Sequence, residues 1–303
     1  MNIRQTLAAT LAVVTLNLVA IKAEEPIGTV VFQSDFGLSD GAVSAMWGVA
    51  HEIDQELFLA NLSHDVPPYN IWVAAYFLSQ TANYWPAGTV FVSVVDPGVG
   101  TKRKSVVLKT KTGHYFVTPD NGTLTLVGDQ LGVEEVREIN EAVNRRKDST
   151  KSYTFHGRDV YAYTGAKLAS KSITFEEVGP SLGETIFKLD YTEASLKSEE
   201  LNGNVDIIDF RYGNIWTNID RDLFMKMKPK FGDVFEVTFS QDSKTIYKAE
   251  IPYMATFGDV PEGEPLIYLN SLIRLSFALN QDSFEKVNNI GYGAGWKVSL
   301  KKK

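Results

Sequence analysis

The chain has 303 residues, enough for one large domain or two modest ones with real cores, and its 44% hydrophobic and 22% charged content is ordinary for a globular protein. A formal net charge of -7 leaves no basic footprint for nucleic acid, and the absence of cysteine removes disulfides, thiolate nucleophiles and Cys-based zinc sites. No fixed-period repeat is visible, which excludes solenoids and propellers.

Residues 1–25 read as a secretory signal. Arg4 supplies a positive start, an apolar run over residues 7–21 is interrupted only by Thr10, Thr15 and Asn17, and Ala20 and Ala23 are small residues at candidate cleavage points. The apolar core is too short for a transmembrane helix, and no other segment is long and apolar enough to span a bilayer. The alternative is an uncleaved anchor or a helix of the fold. The mature chain is therefore expected outside the cytoplasm, secreted or periplasmic, and free of the membrane.

From residue 28 the pattern alternates. Residues 28–34 form a β-rich run suited to a buried strand, and the turn from Asp35 to Gly41 follows. Residues 42–53 place Val43, Met46, Trp47 and Ala50 at helical spacing. Residues 58–62 predict a second strand, and residues 70–84 a helix closed by Trp85-Pro86-Ala87-Gly88. A third strand over 89–95 ends in Asp96-Pro97-Gly98-Val99-Gly100. This order predicts an α/β domain on a mainly parallel sheet. After about residue 200, short strand-like runs at 205–210, 234–239 and 245–251 dominate, the last two forming a hairpin across a longer loop at 240–244. The expected organisation is a signal at 1–25, an N-terminal α/β catalytic domain at 26–192 and a smaller C-terminal all-β domain at 200–303. The polar segment near 191–201 links the two domains.

Carboxylates and glycine-rich turns stand at three strand ends: Asp35 with Asp40, Asp96, and Asp120-Asn121-Gly122. Ligands of open α/β sheets bind beyond the carboxyl ends of the strands, so Asp35 and Asp96 are expected at one pocket. A carboxylate that accepts two hydroxyl hydrogen bonds suits a ribose diol. Taken singly, each Asp is equally at home bonding its own turn. Arg103 can fold back onto Asp96, keeping it ionised and fixing its rotamer; a structural ion pair beside a tight turn is the alternative. Of the four histidines, His51, His64, His114 and His156, the last stands in Phe155-His156-Gly157-Arg158-Asp159 and is the one placed in a tight functional loop. His64-Asp65 reads equally as a loop-positioning pair. No histidines lie at helical i, i+4 spacing, so no zinc site is expected, and the Asp35 loop has too few acidic companions for calcium. In the second domain Tyr212 and Trp216 can stack on a flat base while Asn214 bonds its edge, or the segment is a glycine turn with core aromatics.

These segments occur together in order: Ser34-Asp35-Phe36-Gly37, His64-Asp65-Val66-Pro67-Pro68, Val95 to Gly100 with Arg103, Pro119-Asp120-Asn121-Gly122, Phe155 to Asp159, Gly213 to Asn218, and Asn270-Ser271. Over about residues 28–281 the chain resembles the S-adenosylmethionine (SAM) hydroxide adenosyltransferases, the SAM hydrolases related to the SAM-dependent fluorinase and chlorinase. The resemblance implies an N-terminal α/β domain, a C-terminal barrel-like β domain, and a homotrimer with active sites between the N-domain of one subunit and the C-domain of the next. It implies hydrolysis of SAM to adenosine and methionine, with Asp96, Arg103 and His156 as the catalytic triad. The implied substrate-binding set is Asp35 on the ribose hydroxyls, Asp40 and Val99 in the neighbouring loops, Tyr69 flanking the ligand, and Asp209, Tyr212, Asn214, Trp216 and Ser271 near the methionine and adenine parts. SAM is the substrate, and neither a cofactor nor a metal is implied.

In the halogenases the dipeptide at the His156 position resembles Tyr-Ser or Tyr-Gly, and the fluorinase has Tyr at the Asp96 position. The ionisable groups here favour handling water over halide. The alternatives are a SAM-dependent halogenase, a hydrolase of another 5′-substituted adenosine, and an exported protein that captures adenosine or SAM without turnover. The chain departs from the family pattern after Asn270-Ser271, where Leu272-Ile273-Arg274 replaces the usual glycine, and at Asp282.

Overall fold

The computed structural model describes residues 25–303; apart from Glu25, the signal expected at residues 1–25 lies outside the described residues. The first of two sheets holds β1 (Thr29–Ser34), β2 (Phe58–Ser63), β3 (Val90–Val94), β4 (Ser105–Thr110), β5 (Tyr115–Pro119) and β6 (Val133–Glu138), in the order β2-β1-β3-β5-β4-β6. The β1–β2, β1–β3 and β3–β5 pairs are parallel, while β4 runs antiparallel to β5 and β6, so the sheet is mixed.

Parallel neighbours need crossovers, and α1 (Ala42–Ile53) and α2 (Ile71–Thr81) supply those among β1, β2 and β3, while the chain passes from β3 to β5 through β4. Further along come α3 (Thr125–Leu131) and α4 (Tyr163–Ala169). Successive strand residues face opposite sides of a sheet. Val30 and Phe32 therefore join Met46, Tyr161 and Leu168 on one face, while Val31 joins Leu78, Phe116 and Val127 on the other. Both faces are covered, which is why β1 and β3 read as continuous apolar runs.

The C-terminal sheet holds β7 (Ser195–Lys197), β8 (Glu200–Asp209), β9 (Asn214–Asp220), β10 (Val234–Gln241), β11 (Lys244–Pro252), β12 (Pro265–Leu269), β13 (Arg274–Leu279) and β14 (Trp296–Lys302), with two short helices, α5 (Arg221–Met225) and α6 (Phe284–Asn288). Its order is β11-β10-β14-β8-β9-β13-β12, every pair antiparallel, with β7 added on β8. Beyond β11 the chain returns to β12 through a Tyr253–Ile267 bridge and a 2.9 Å bond from Met254 N–H to Ile267 O, which makes the sheet barrel-like. The β10–β11 hairpin closes more tightly than expected. Pairing continues to Gln241–Lys244, and only Asp242 and Ser243 form the turn, both at positive φ. Such a turn favours Asn-Gly or Asp-Gly, so Asp-Ser gives no clear signal of it in sequence.

The two units are bound through α2. Trp72 donates its indole N–H to Asp206 O at 2.6 Å, and Ile207 shares an apolar cluster with Val73, Ala74 and Val95. On the opposite face, α4 presses against β3 at Gly165, where an added Cβ would stand 2.5 Å from Val92 Cγ2. Gly165→Ala should therefore cost about 1–3 kcal/mol by overpacking, read by urea unfolding; an unchanged midpoint would contradict this packing.

Candidate active site

Just past β3, the loop of Asp96 turns back on itself through bonds from Val99 N–H to Asp96 O (3.2 Å) and from Thr101 N–H to Gly98 O (3.1 Å). The turn brings Arg103 onto Asp96. Its Nε–H donates to Asp96 Oδ1 at 2.8 Å, and its Nη2–H to Oδ2, a bidentate pair whose side chains are only 11% and 6% exposed. Arg103 Nη1 also donates to Ser105 Oγ at 2.9 Å. That hydroxyl lies 3.2 Å from the phenol of Tyr161, which itself comes within 3.5 Å of Asp96 Oδ2. Burial pushes the Tyr161 phenol well above its usual range, so it stays a protonated donor.

His156 stands at the entry of a π-helical turn, Gly157–Ala162, that runs on into α4. Such turns recur at functional sites. Glycine follows His156 because the backbone is seated against the end of β3: a Cβ on Gly157 would meet Val94 Cγ1 at 3.1 Å and Phe36 at 3.2 Å. Phe155 is held edge-on by Phe36 at 5.7 Å and covered by the Arg158 guanidinium at 4.9 Å, itself paired to buried Asp159. His156 is buried. Its Nδ1 faces Arg103 Nη2 at 3.1 Å and its Nε2 faces Arg145 Nη2 at 2.9 Å. Burial pushes its pKa below the ordinary histidine value. Glu141 and Asp96 oppose that shift, while Arg145 and Arg103 reinforce it.

A cavity of about 340 Å³ opens over this cluster, lined by Asp35, Phe36, Tyr69, Asp96, Val99 and His156 among others. That size falls in the small-molecule range. Asp35 Oδ2 accepts the Tyr69 N–H at 2.8 Å and so fixes the left-handed turn (φ 66°) that leaves the Tyr69 ring exposed beside the cavity. Asp40 does not line it; its carboxylate accepts Ala42 N–H at 2.9 Å at the start of α1. His64 is buried between Ser34 Oγ (2.7 Å) and Asn61 Oδ1 (2.9 Å), and Asn121 donates to Val95 O at 2.8 Å; both fasten the loops around the cavity.

The remaining expected residues lie elsewhere on the chain. Tyr212 and Asn214 line a cavity of about 540 Å³ on the C-terminal sheet, together with Arg211 and Phe257. Ser271 borders a third cavity, about 520 Å³, between the two units. Trp216 donates its indole N–H to the Tyr268 hydroxyl at 3.2 Å. The Asp209 carbonyl accepts the N–H groups of Tyr212 (3.1 Å) and Gly213 (2.7 Å), shaping the turn that presents Tyr212. Sequence reasoning did not reach Ser105, Tyr161, Glu141 or Arg145. The one signal for the last two was their i, i+4 spacing, and here that pairing occurs in a turn rather than in a helix.

A family model described as the SAM hydroxide adenosyltransferase N-terminal domain matches residues 30–179, and one for the C-terminal domain matches residues 203–297. The chain belongs to the SAM hydroxide adenosyltransferase family. It is similar to the (R)-S-adenosyl-L-methionine hydrolase of Methanocaldococcus jannaschii, 37% identical over 203 residues, which is 66% of this chain and 70% of that protein. It is also similar to a fluorinase of Actinopolyspora mzabensis, 28% identical over 297 residues, covering 89% and 96%. An uncharacterised conserved protein of Thermotoga maritima superposes with a TM-score of 0.81 at 34% identity, over 90% of this chain and 99% of that one.

In this member of the family, removing Arg103 strands a carboxylate that is almost out of water. Arg103→Met should cost about 3–5 kcal/mol in urea unfolding, and adding Asp96→Asn should recover much of it. Equal losses in the single and double variants would contradict the pairing.

Proposed function

We propose that this protein hydrolyses SAM to adenosine and methionine by in-line attack of water on ribose C5′. The observation that carries the reading is the buried Asp96–Arg103–His156 cluster at the wall of the cavity that also holds Asp35. Asp35 is set to accept the two ribose hydroxyls, with Tyr69 and Val99 flanking the nucleoside. The sulfonium is already an activated leaving group, so the reaction calls for a positioned water rather than a cofactor or metal. A carboxylate offers about four lone-pair sites, and Arg103 takes two from Asp96; a remaining one can accept from that water. The carboxylates of Asp35 and Asp96 also suit a cationic substrate.

The fluorinase relative keeps halogenation as the second reading. The carboxylate at Asp96 weighs against it, because a halide at the same wall would meet like charge. Capture of adenosine or SAM without turnover is the third.

The site is read as shared between subunits of a homotrimer. The Asp35–Asp96 cavity is lined by the N-terminal unit alone and the Tyr212–Asn214 cavity by the C-terminal unit alone, as expected for two half-sites that meet across an interface. Asp209, Trp216 and Ser271 then serve the methionine and adenine ends from the neighbouring subunit. The signal pattern at residues 1–25 supports a mature protein outside the cytoplasm, which then needs an external source of SAM or a different adenosyl substrate.

Incubation with SAM, with and without chloride or fluoride, should give adenosine and methionine in equal amounts and no 5′-halo-nucleoside. Asp96→Asn should lower kcat by about 100-fold or more. Halogenated product, or binding with no methionine release, would overturn the hydrolytic reading.

A further inference from the structure

His156 lies between two guanidinium groups, and a guanidinium can only donate. A neutral imidazole has one acceptor nitrogen and one N–H, and an imidazolium has no acceptor. Only one of the two arginine contacts can therefore be a hydrogen bond, and neither survives protonation of the ring. The contact from Arg145 Nη2 to Nε2 is the shorter at 2.9 Å and is buried, so opposed N–H groups there would find no water. The contact at Nδ1 is only partly buried and belongs to a residue that lines the cavity, so an oxygen bound in the cavity can relieve opposed N–H groups there.

Arg145 is itself fixed. Its side chain is 4% exposed, its Nε and Nη2 both donate to Glu141 Oε2 (3.1 and 2.8 Å), and its guanidinium lies 5.1 Å over the Tyr153 ring. Its Nη1 is buried with no partner among the described residues, so Glu141 alone does not satisfy the group.

Building on the hydrolytic reading, we propose that Arg145 is a positioning residue: by donating to His156 Nε2 it holds the imidazole uncharged and as the Nδ1–H tautomer. His156 then donates from Nδ1 to the oxygen of the nucleophilic water, and Asp96 is left as the acceptor of its proton. The O–C5′ bond forms as the C5′–S bond breaks, and the bonding pair stays on the methionine sulfur. The groups facing the ring are Asp96 and Arg103 around the β3–β4 loop, Glu141 and Arg145 from the turn after β6, and Tyr153 on its own loop, with Tyr161 beyond Asp96. The two ion pairs beside the ring cancel, so protonating the ring adds an uncompensated positive charge at the wall. A charged ring there would repel the sulfonium.

Nitrogen-15 NMR of histidine-labelled protein, with His156 assigned by its loss in His156→Asn, tests this. In the wild type the ring should report the Nδ1–H tautomer and remain neutral to below about pH 6.5. In Arg145→Met it should protonate about one pH unit higher or more, and the acid limb of kcat/KM should follow it upward while KM for SAM at pH 8 stays unchanged. Arg145→Lys should bring both back toward the wild type. Glu141→Gln removes the opposing carboxylate and should shift protonation the other way, to lower pH, which decides the matter if Arg145→Met does not fold. An Nε2–H tautomer in the wild type, an unmoved titration in Arg145→Met, an upward or absent shift in Glu141→Gln, or a rate lost equally at every pH would overturn the assignment. A wild type that titrates as described but leaves SAM intact would count against the hydrolytic reading and not against the hold of Arg145 on the ring.

Discussion

The bidentate contact of Arg103 with Asp96 is the constraint around which the N-terminal unit is arranged. Two charges nearly removed from water lose several kcal/mol of hydration each, and only close, well-aligned partners offset that loss. Ser105, Tyr161 and His156 complete the set, so β3, β4 and the π-turn ahead of α4 must all arrive at fixed positions. The surrounding loops are fastened accordingly, by Asn121 to the backbone of Val95 and by His64 between Ser34 and Asn61. A pair so demanding is weak evidence of stability for its own sake. Its position at the wall of a cavity in the small-molecule size range is what the proposed chemical role rests on.

Much of this was legible in the sequence, for identifiable reasons. Helix α1 falls on residues 42–53 as its apolar spacing predicts, and β1, β2 and β3 lie within a residue or so of the apolar runs that mark them. Buried strands and amphipathic helices write their environment into their own residues. The expectation stopped short at the antiparallel half of the first sheet. Strand β6 carries Glu134, Glu135, Arg137 and Glu138 along a half-exposed edge, so it lacks an apolar run. The tight turn at Asp242-Ser243 was hidden because neither residue advertises positive φ.

At the site, glycine-rich turns marked Asp96, Arg103 and His156 as candidates, the family resemblance grouped them, and the structure brings the three side chains together. Arg145 and Glu141 left no comparable trace, since their contact with His156 depends on how the segment after β6 folds back. The C-terminal residues pose a different problem. Tyr212, Asn214 and Ser271 border cavities apart from that of Asp35, and their local sequence pattern carries no signal for which cavity each one faces.

The electrostatic plan of the site suits the charge on the proposed substrate. In the proposed reaction a sulfonium becomes a neutral thioether as it leaves, and the carboxylates of Asp35 and Asp96 at the cavity wall, the second paired with Arg103, suit that cation. The central claim is that water oxygen ends on C5′ of the ribose. Mass spectrometry of the products formed in oxygen-18 water tests it most directly. The account predicts a single heavy oxygen in the 5′-hydroxyl of adenosine and none in methionine. Label in methionine, or adenosine released without label, would contradict it.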